Sequence, residues 1–166
     1  MEYYLSDIVE GDQIYIFRGL SHPMVISYYG VSYHSFDETK EQMVFFQDLE
    51  RNRTGKWWAI RSNLNHSFVG AIGFNDYQTN HEKIEVGFWL LPEYWGKRII
   101  PRVLPIAEKE IRNLYQIHRI EAVVETENLA SIRTLDKCGY ILEGTLRDAE
   151  RKNDRFISLS VFGKLF

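Results

Sequence analysis

The chain has 166 residues, with 20 Lys plus Arg against 23 Asp plus Glu and a formal net charge of −3. That is the length of one ordinary domain, with a core large enough to stand without staples. The near balance of charge removes any global field that would drive the chain onto nucleic acid or an anionic membrane. A single cysteine, Cys138, excludes an internal disulfide and fits a reducing compartment. The N-terminus lacks a basic region followed by an apolar one, and no apolar run approaches the ~20 residues of a membrane span. The expectation is a cytoplasmic chain with one domain over residues 1–166. His22, His34, His66, His81 and His118 show no ligand spacing, so no metal site is expected.

Residues 3–8 read as a strand, 10–12 as a turn and cap, and 13–20 as an apolar-rich helix that Pro23 interrupts. Asp37 is placed to cap a helix running to Asn52, whose Met43, Phe46 and Leu49 recur at helical spacing. Residues 57–61 and 68–74 read as an antiparallel hairpin around a polar turn, with Trp57 and Trp58 straddling the first strand and one of them in the core. Residues 84–91 form the next strand. From Val103, the residues Ala107, Ile111 and Leu114 share one helical stripe, with Glu108 and Arg112 paired four apart on the wetter side. Residues 120–126 form a strand, Asn128 caps a short helix ending near Cys138, and Gly139 terminates it. Residues 140–147 and 156–165 are two further strands joined by Lys152-Asn153-Asp154. The sum is an α/β (α+β) domain, a mixed sheet with helices on its faces.

The most telling stretch is the strand 84–91, the turn Pro92-Glu93-Tyr94-Trp95-Gly96-Lys97 and the helix that follows. A glycine followed at once by Lys97 and Arg98, where an extended segment gives way to a helix, presents backbone N–H groups and positive charge to a phosphate.

Five segments in order carry a resemblance. They are Ile84-Glu85-Val86-Gly87-Phe88-Trp89-Leu90, Pro92 to Lys97, His118-Arg119-Ile120-Glu121-Ala122, Asn128-Leu129-Ala130-Ser131, and Lys137-Cys138-Gly139-Tyr140 with Glu143-Gly144. Together they resemble the GNAT acetyltransferases, and within them the ribosomal-protein N-terminal acetyltransferase (Rim-type) branch. The resemblance implies a twisted, mostly antiparallel sheet of about seven strands, splayed between 84–91 and 120–126 so that acetyl-CoA enters as co-substrate. Phe88 and Leu90 would then meet the pantetheine arm, and Gly96, Lys97, Arg98, Ile99 and Ile100 the pyrophosphate. Asn128 would hold the arm, and Lys137 would reach the adenosine phosphates or stand as a solvated helix-end lysine. The acceptor implied is a small-molecule or protein N-terminal amine, attacked directly, in a monomer or homodimer.

The departures leave a second reading open. Relatives usually carry glycine and a small residue where this chain has Arg98 and Ile100; the added charge favours phosphate binding and the added bulk opposes it. The alternative is a degenerate domain that senses acyl-CoA without turnover or serves as an interaction module. Prolines at 101 and 105 suggest a helix starting late, near Arg102 or Val103.

For the chemistry, Glu85 is the leading general base, against the plain reading of an exposed strand glutamate, with Asn75 and Asp76 weaker. The N–H of Leu90 or Leu91 is the family-like oxyanion donor. Leu135 stands where many relatives have tyrosine, so Ser131 becomes the candidate acid for the leaving thiolate, against a first-turn serine satisfying the backbone. Tyr28, Tyr29 and Tyr33 edge the acceptor cleft or pack locally. Ser158 replaces an aspartate common in relatives, and its role is not legible.

Overall fold

A computed structural model describes residues 2–166. In chain order it contains β1 (Tyr3–Asp7), α1 (Gln13–Leu20), α2 (Pro23–Ile26), α3 (Lys40–Arg51), β2 (Lys56–Ser62), β3 (Phe68–Gln78) and β4 (Lys83–Leu90). The second half holds α4 (Ile99–Leu114), β5 (Arg119–Glu125), α5 (Leu129–Lys137), β6 (Ile141–Lys152) and β7 (Arg155–Leu165). The strands form one sheet in the order β1-β2-β3-β4-β5-β7-β6. Neighbours run antiparallel except β4 and β5, which are parallel.

Alternation along the strands sends odd and even positions to opposite layers. Trp58, Ile72, Ile84, Val86, Ile120 and Phe162 pack against α4 and α5 in one core. Trp57, Ala59, Ala71, Trp89 and Leu91 pack against Ile16, Leu20 and Phe46 of the early helices in the other. Both tryptophans are therefore core residues, 5 % and 6 % exposed, rather than one of the pair as the sequence suggested. Trp57 lies flat over β3 and β4. A Cβ built on Gly73 would sit 2.2 Å from its indole, and one on Gly87 3.0 Å from it.

Three sequence expectations shift. The helix after residue 37 is capped by Thr39, and Asp37 instead pairs with Lys40 at 2.9 Å in the preceding turn. Glu108 is buried and bonds Lys164 of β7 at 2.7 Å, while Arg112 lies over the Phe166 ring; the i,i+4 pair does not form. Most consequentially, α4 begins at Ile99 and runs unbroken through both prolines. Pro101 falls in the first turn, where its missing N–H would have had no intrahelical partner. Pro105 costs one hydrogen bond further in, and burial of Ile99, Ile100, Val103, Leu104, Ala107 and Ile111 outweighs that loss.

Candidate active site

β4 and β5 pair at Lys83 with Arg119, Ile84 with Ile120 and Glu85 with Glu121. There the pairing stops, and the two strands diverge toward their C-terminal ends. On its other edge β4 stays bound to β3, with Leu91 donating to the Val69 carbonyl at 3.0 Å. Because an antiparallel ladder alternates the direction of its polar groups, Val86, Phe88 and Leu90 turn their N–H and C=O toward the opening. The Leu91 N–H is thus spent on the sheet, while the Leu90 N–H faces the opening. The Trp95 indole donates to the Leu90 carbonyl at 2.9 Å, a contact the sequence did not suggest.

The turn beyond β4 keeps a glycine-like path despite its composition. Gly96 has φ 74° and Arg98, the N-cap of α4, has φ 55° and ψ 36°. Arg98 takes the left-handed conformation that costs a side-chain-bearing residue about 1 kcal/mol. Its side chain is exposed, as is that of Lys97, whose ammonium sits 5.1 Å from the Tyr94 ring centroid. Ile99 and Ile100 point into the core, 1 % and 5 % exposed. The bulk at 98 and 100 is therefore carried away from the main-chain N–H groups at the start of α4.

Asn128 accepts from the Ser131 N–H at 3.2 Å, as a cap should, and places Ser131 half-buried in the first turn of α5. Lys137 is exposed at the opposite end of that nine-residue helix, roughly 13 Å away along its axis. Cys138 is half-buried; burial, then the Glu108 carboxylate, pushes its thiol up, which makes it a weak nucleophile.

Glu85 lies on the sheet face that carries the early helices, in line with Gly87 and Trp89. Burial, reinforced by the carboxylates of Asp76, Glu121 and Glu150 and only partly offset by Lys83, pushes its carboxyl up to about 7. Asp76 sits at a bulge in β3 with φ 59° and accepts from the Asn75 amide at 3.0 Å. Burial works against ionisation of Glu121, but hydrogen bonds from Arg119 and Lys83 outweigh it and hold that carboxyl below the usual range. Glu85 is therefore the carboxylate here whose proton is exchangeable near neutrality.

Tyr28 is exposed on the loop after α2, whereas Tyr29 and Tyr33 pack against the second core. The Tyr33 hydroxyl donates to Gln42 at 3.0 Å. Ser158 accepts from the Asp148 N–H at 3.1 Å, closing a bulge in β6. The sequence also missed Glu125 and Lys152, from β5 and the tip of the β6–β7 hairpin, which meet at 2.6 Å on the Glu85 face. No local pattern could have announced a pair formed across two strands.

A mixed sheet parted at its parallel pair, with a positive-φ turn feeding a helix at the mouth of the opening, is the architecture of the acetyltransferases. The chain belongs to the GNAT family of these enzymes: residues 4–141 match the family described as Acetyltransferase (GNAT) domain. It is 30% identical over 150 residues to the N-acetyltransferase YoaA of Bacillus subtilis (strain 168), spanning 90% of this chain and 85% of that one. Its fold is similar to RimL, a ribosomal L7/L12 alpha-N-protein acetyltransferase solved with coenzyme A, at a TM-score of 0.89, 18% identity and coverage of 99% and 94% of the two chains. It is also similar to spermidine N-acetyltransferase from Vibrio cholerae with CoA and spermine, at a TM-score of 0.83, 21% identity and coverage of 99% and 95%.

Proposed function

We propose that the protein transfers an acetyl group from acetyl-CoA to a primary amine by direct attack. The observation that carries this is the conjunction of the parted β4–β5 edge with Glu85 beside it, a carboxyl pushed up to about 7 by burial and neighbouring carboxylates that Lys83 only partly offsets. The main chain of Val86, Phe88 and Leu90 receives the pantetheine arm, and the N–H groups at the start of α4, with Lys97 and Arg98, receive the pyrophosphate. Asn128 orients the arm beside its capping role.

An alkyl amine near pKa ~10.4 or an α-amine near ~8 reaches the site as an ammonium. Glu85 takes one proton, directly or through a water, and the freed nitrogen attacks the thioester carbonyl. A C–N bond forms and the carbonyl oxygen becomes an oxyanion next to the Leu90 N–H. The C–S bond then breaks, and the departing thiolate takes a proton from the Ser131 hydroxyl, which is replenished by the second amine proton. The products are the N-acetyl amine and CoA. The raised thiol of Cys138 speaks against a covalent intermediate.

The exposed placement of Arg98 and the inward placement of Ile100 support a working enzyme over a silent domain. The test is thiol release from acetyl-CoA across a panel of amines, with titration calorimetry of CoA; no heat at millimolar CoA overturns the reading. Arg98→Gly relieves a positive φ at the cost of a guanidinium. It is expected to raise the thermal midpoint by about 2–4 °C and to weaken CoA binding severalfold, both measurable by melting and calorimetry; tighter binding would mean that bulk was the obstacle. Ser131→Ala is expected to lower kcat about tenfold while leaving the KM for acetyl-CoA in place. An unchanged kcat would reduce Ser131 to its backbone role.

A further inference from the structure

The hairpin of β6 and β7 carries one cation into the acceptor side. Strand register sets its direction: Lys152 pairs with Arg155, and Leu159 of the same strand pairs with Glu125. Since Glu125 lies four residues beyond Glu121, which pairs with Glu85, all of these share the Glu85 face. Lys152 Nζ donates to the Glu125 carboxylate at 2.6 Å and to the Ser27 carbonyl at 2.6 Å. Glu125 is 8 % exposed, and a carboxylate so placed demands a cation. The two acceptors lie on different elements, the end of β5 and the end of α2, next to Tyr28. They form a cradle for an ammonium group, and the chain fills it from its own hairpin.

We propose that Lys152 is a specificity-determining residue: it occupies a second ammonium site on the acceptor face, so the enzyme favours acceptors with a single amine and discriminates against polyamines. The inference rests on the acetyltransferase reading above. The spacing fits the argument, because Glu125 stands about 13 Å along β5 from Glu121, a distance suited to the far end of an extended polyamine whose near end reacts by Glu85. Two neighbouring carboxylates of the face are already taken. Glu121 is held by Lys83 and Arg119, and Glu143 by Arg119. A polyamine would have to displace the Lys152 ammonium, which is tethered and present at high effective concentration.

The experiment compares kcat/KM for n-butylamine, spermidine and spermine in the wild type and in Lys152→Ala, Lys152→Met and Lys152→Arg. Removing the ammonium strands Glu125 and opens the cradle, so the ratio of spermidine or spermine to butylamine rises at least tenfold in the Ala and Met variants. It stays at the wild-type value in the Arg variant, and Glu125→Gln added to Lys152→Ala cancels the gain. Lys152→Met keeps the packing of the methylene stem should the alanine variant fold poorly. An unchanged ratio in a folded Lys152→Met protein, or a wild type that already favours spermidine, overturns the proposal. A wild type that acetylates no amine defeats instead the reading beneath it. In that event calorimetry with spermidine decides the site: binding to Lys152→Met but not to wild type supports the cradle, and binding to neither overturns it.

Discussion

Glu85→Gln is expected to lower kcat/KM for amine acetylation by about 100-fold or more, the range a positioned general base contributes. The wild type should gain activity as pH rises through about 7, where the Glu85 carboxyl loses its proton, and the variant should lose that limb. A second readout runs in the opposite direction. The Glu85 carboxyl is shifted from 4.5 in the unfolded chain to about 7 in the fold, so the native state binds the extra proton between those values. Stability therefore falls as pH rises through that window. The gap corresponds to roughly 3 kcal/mol, of which partial hydration of a half-buried group leaves about 2. Glutamine carries no such penalty, so the inactive variant should be the more stable protein at pH 8 and its equal at pH 4. Urea unfolding at the two pH values measures this, and equal stabilities at pH 8 would remove the strained carboxylate from the account.

Gly73→Ala is the second large effect, this one on folding. Its Cβ would meet the Trp57 ring at 2.2 Å, and the ring is not the loose end of a flexible chain. It is held from the other side by Phe46, at 5.6 Å between ring centroids. Neither the sheet nor α3 can yield without disturbing the core, so the expected loss is about 3 kcal/mol. For a chain of this size that lowers the thermal midpoint by about 6–12 °C. A midpoint within ~2 °C of wild type would show that the indole is free to move. The same stacking floors the region beside Glu85, so activity at 25 °C should fall even in the folded fraction.

The features legible in the sequence are those that local chemistry decides. Residues 13–20 announced a helix through their apolar spacing, and α1 occupies Gln13–Leu20. Asn128 and Gly139 announced the two ends of α5, and the cap bond and a φ of 82° are there. The family words around Glu85, Gly96 and Asn128 mark where the strands part. What escaped depends on tertiary partners or on backbone exceptions. β3 runs past Phe74 to Gln78 because Asp76 takes positive φ and the strand bulges onward. β6 runs past Arg147 to Lys152 for a like reason, with Asp148 at φ 48°. Pro101 suits a first helical turn, and it is Pro105, weighed against an ideal helix, that argues in the sequence for a late start. In the structure the apolar stripe from Ile99 decides where the helix starts. Glu108 was given the wrong partner because helical spacing can propose Arg112 but cannot see Lys164 arriving from β7. The Lys152–Glu125 contact was invisible on the same ground.

The brief union of β4 with β5 has one more consequence. Three residue pairs seam two half-sheets together, so much of what a complete ladder would supply at the middle of the molecule is left for a visitor to provide. On the proposed binding mode, a nucleotide thioester lying in the gap would act as a substitute strand, trading hydrogen bonds with the unpaired edge of β4. Loading the enzyme would then finish its architecture rather than rearrange it, and at a hundredfold excess over Kd that completion would add about 2.7 kcal/mol to the folded state.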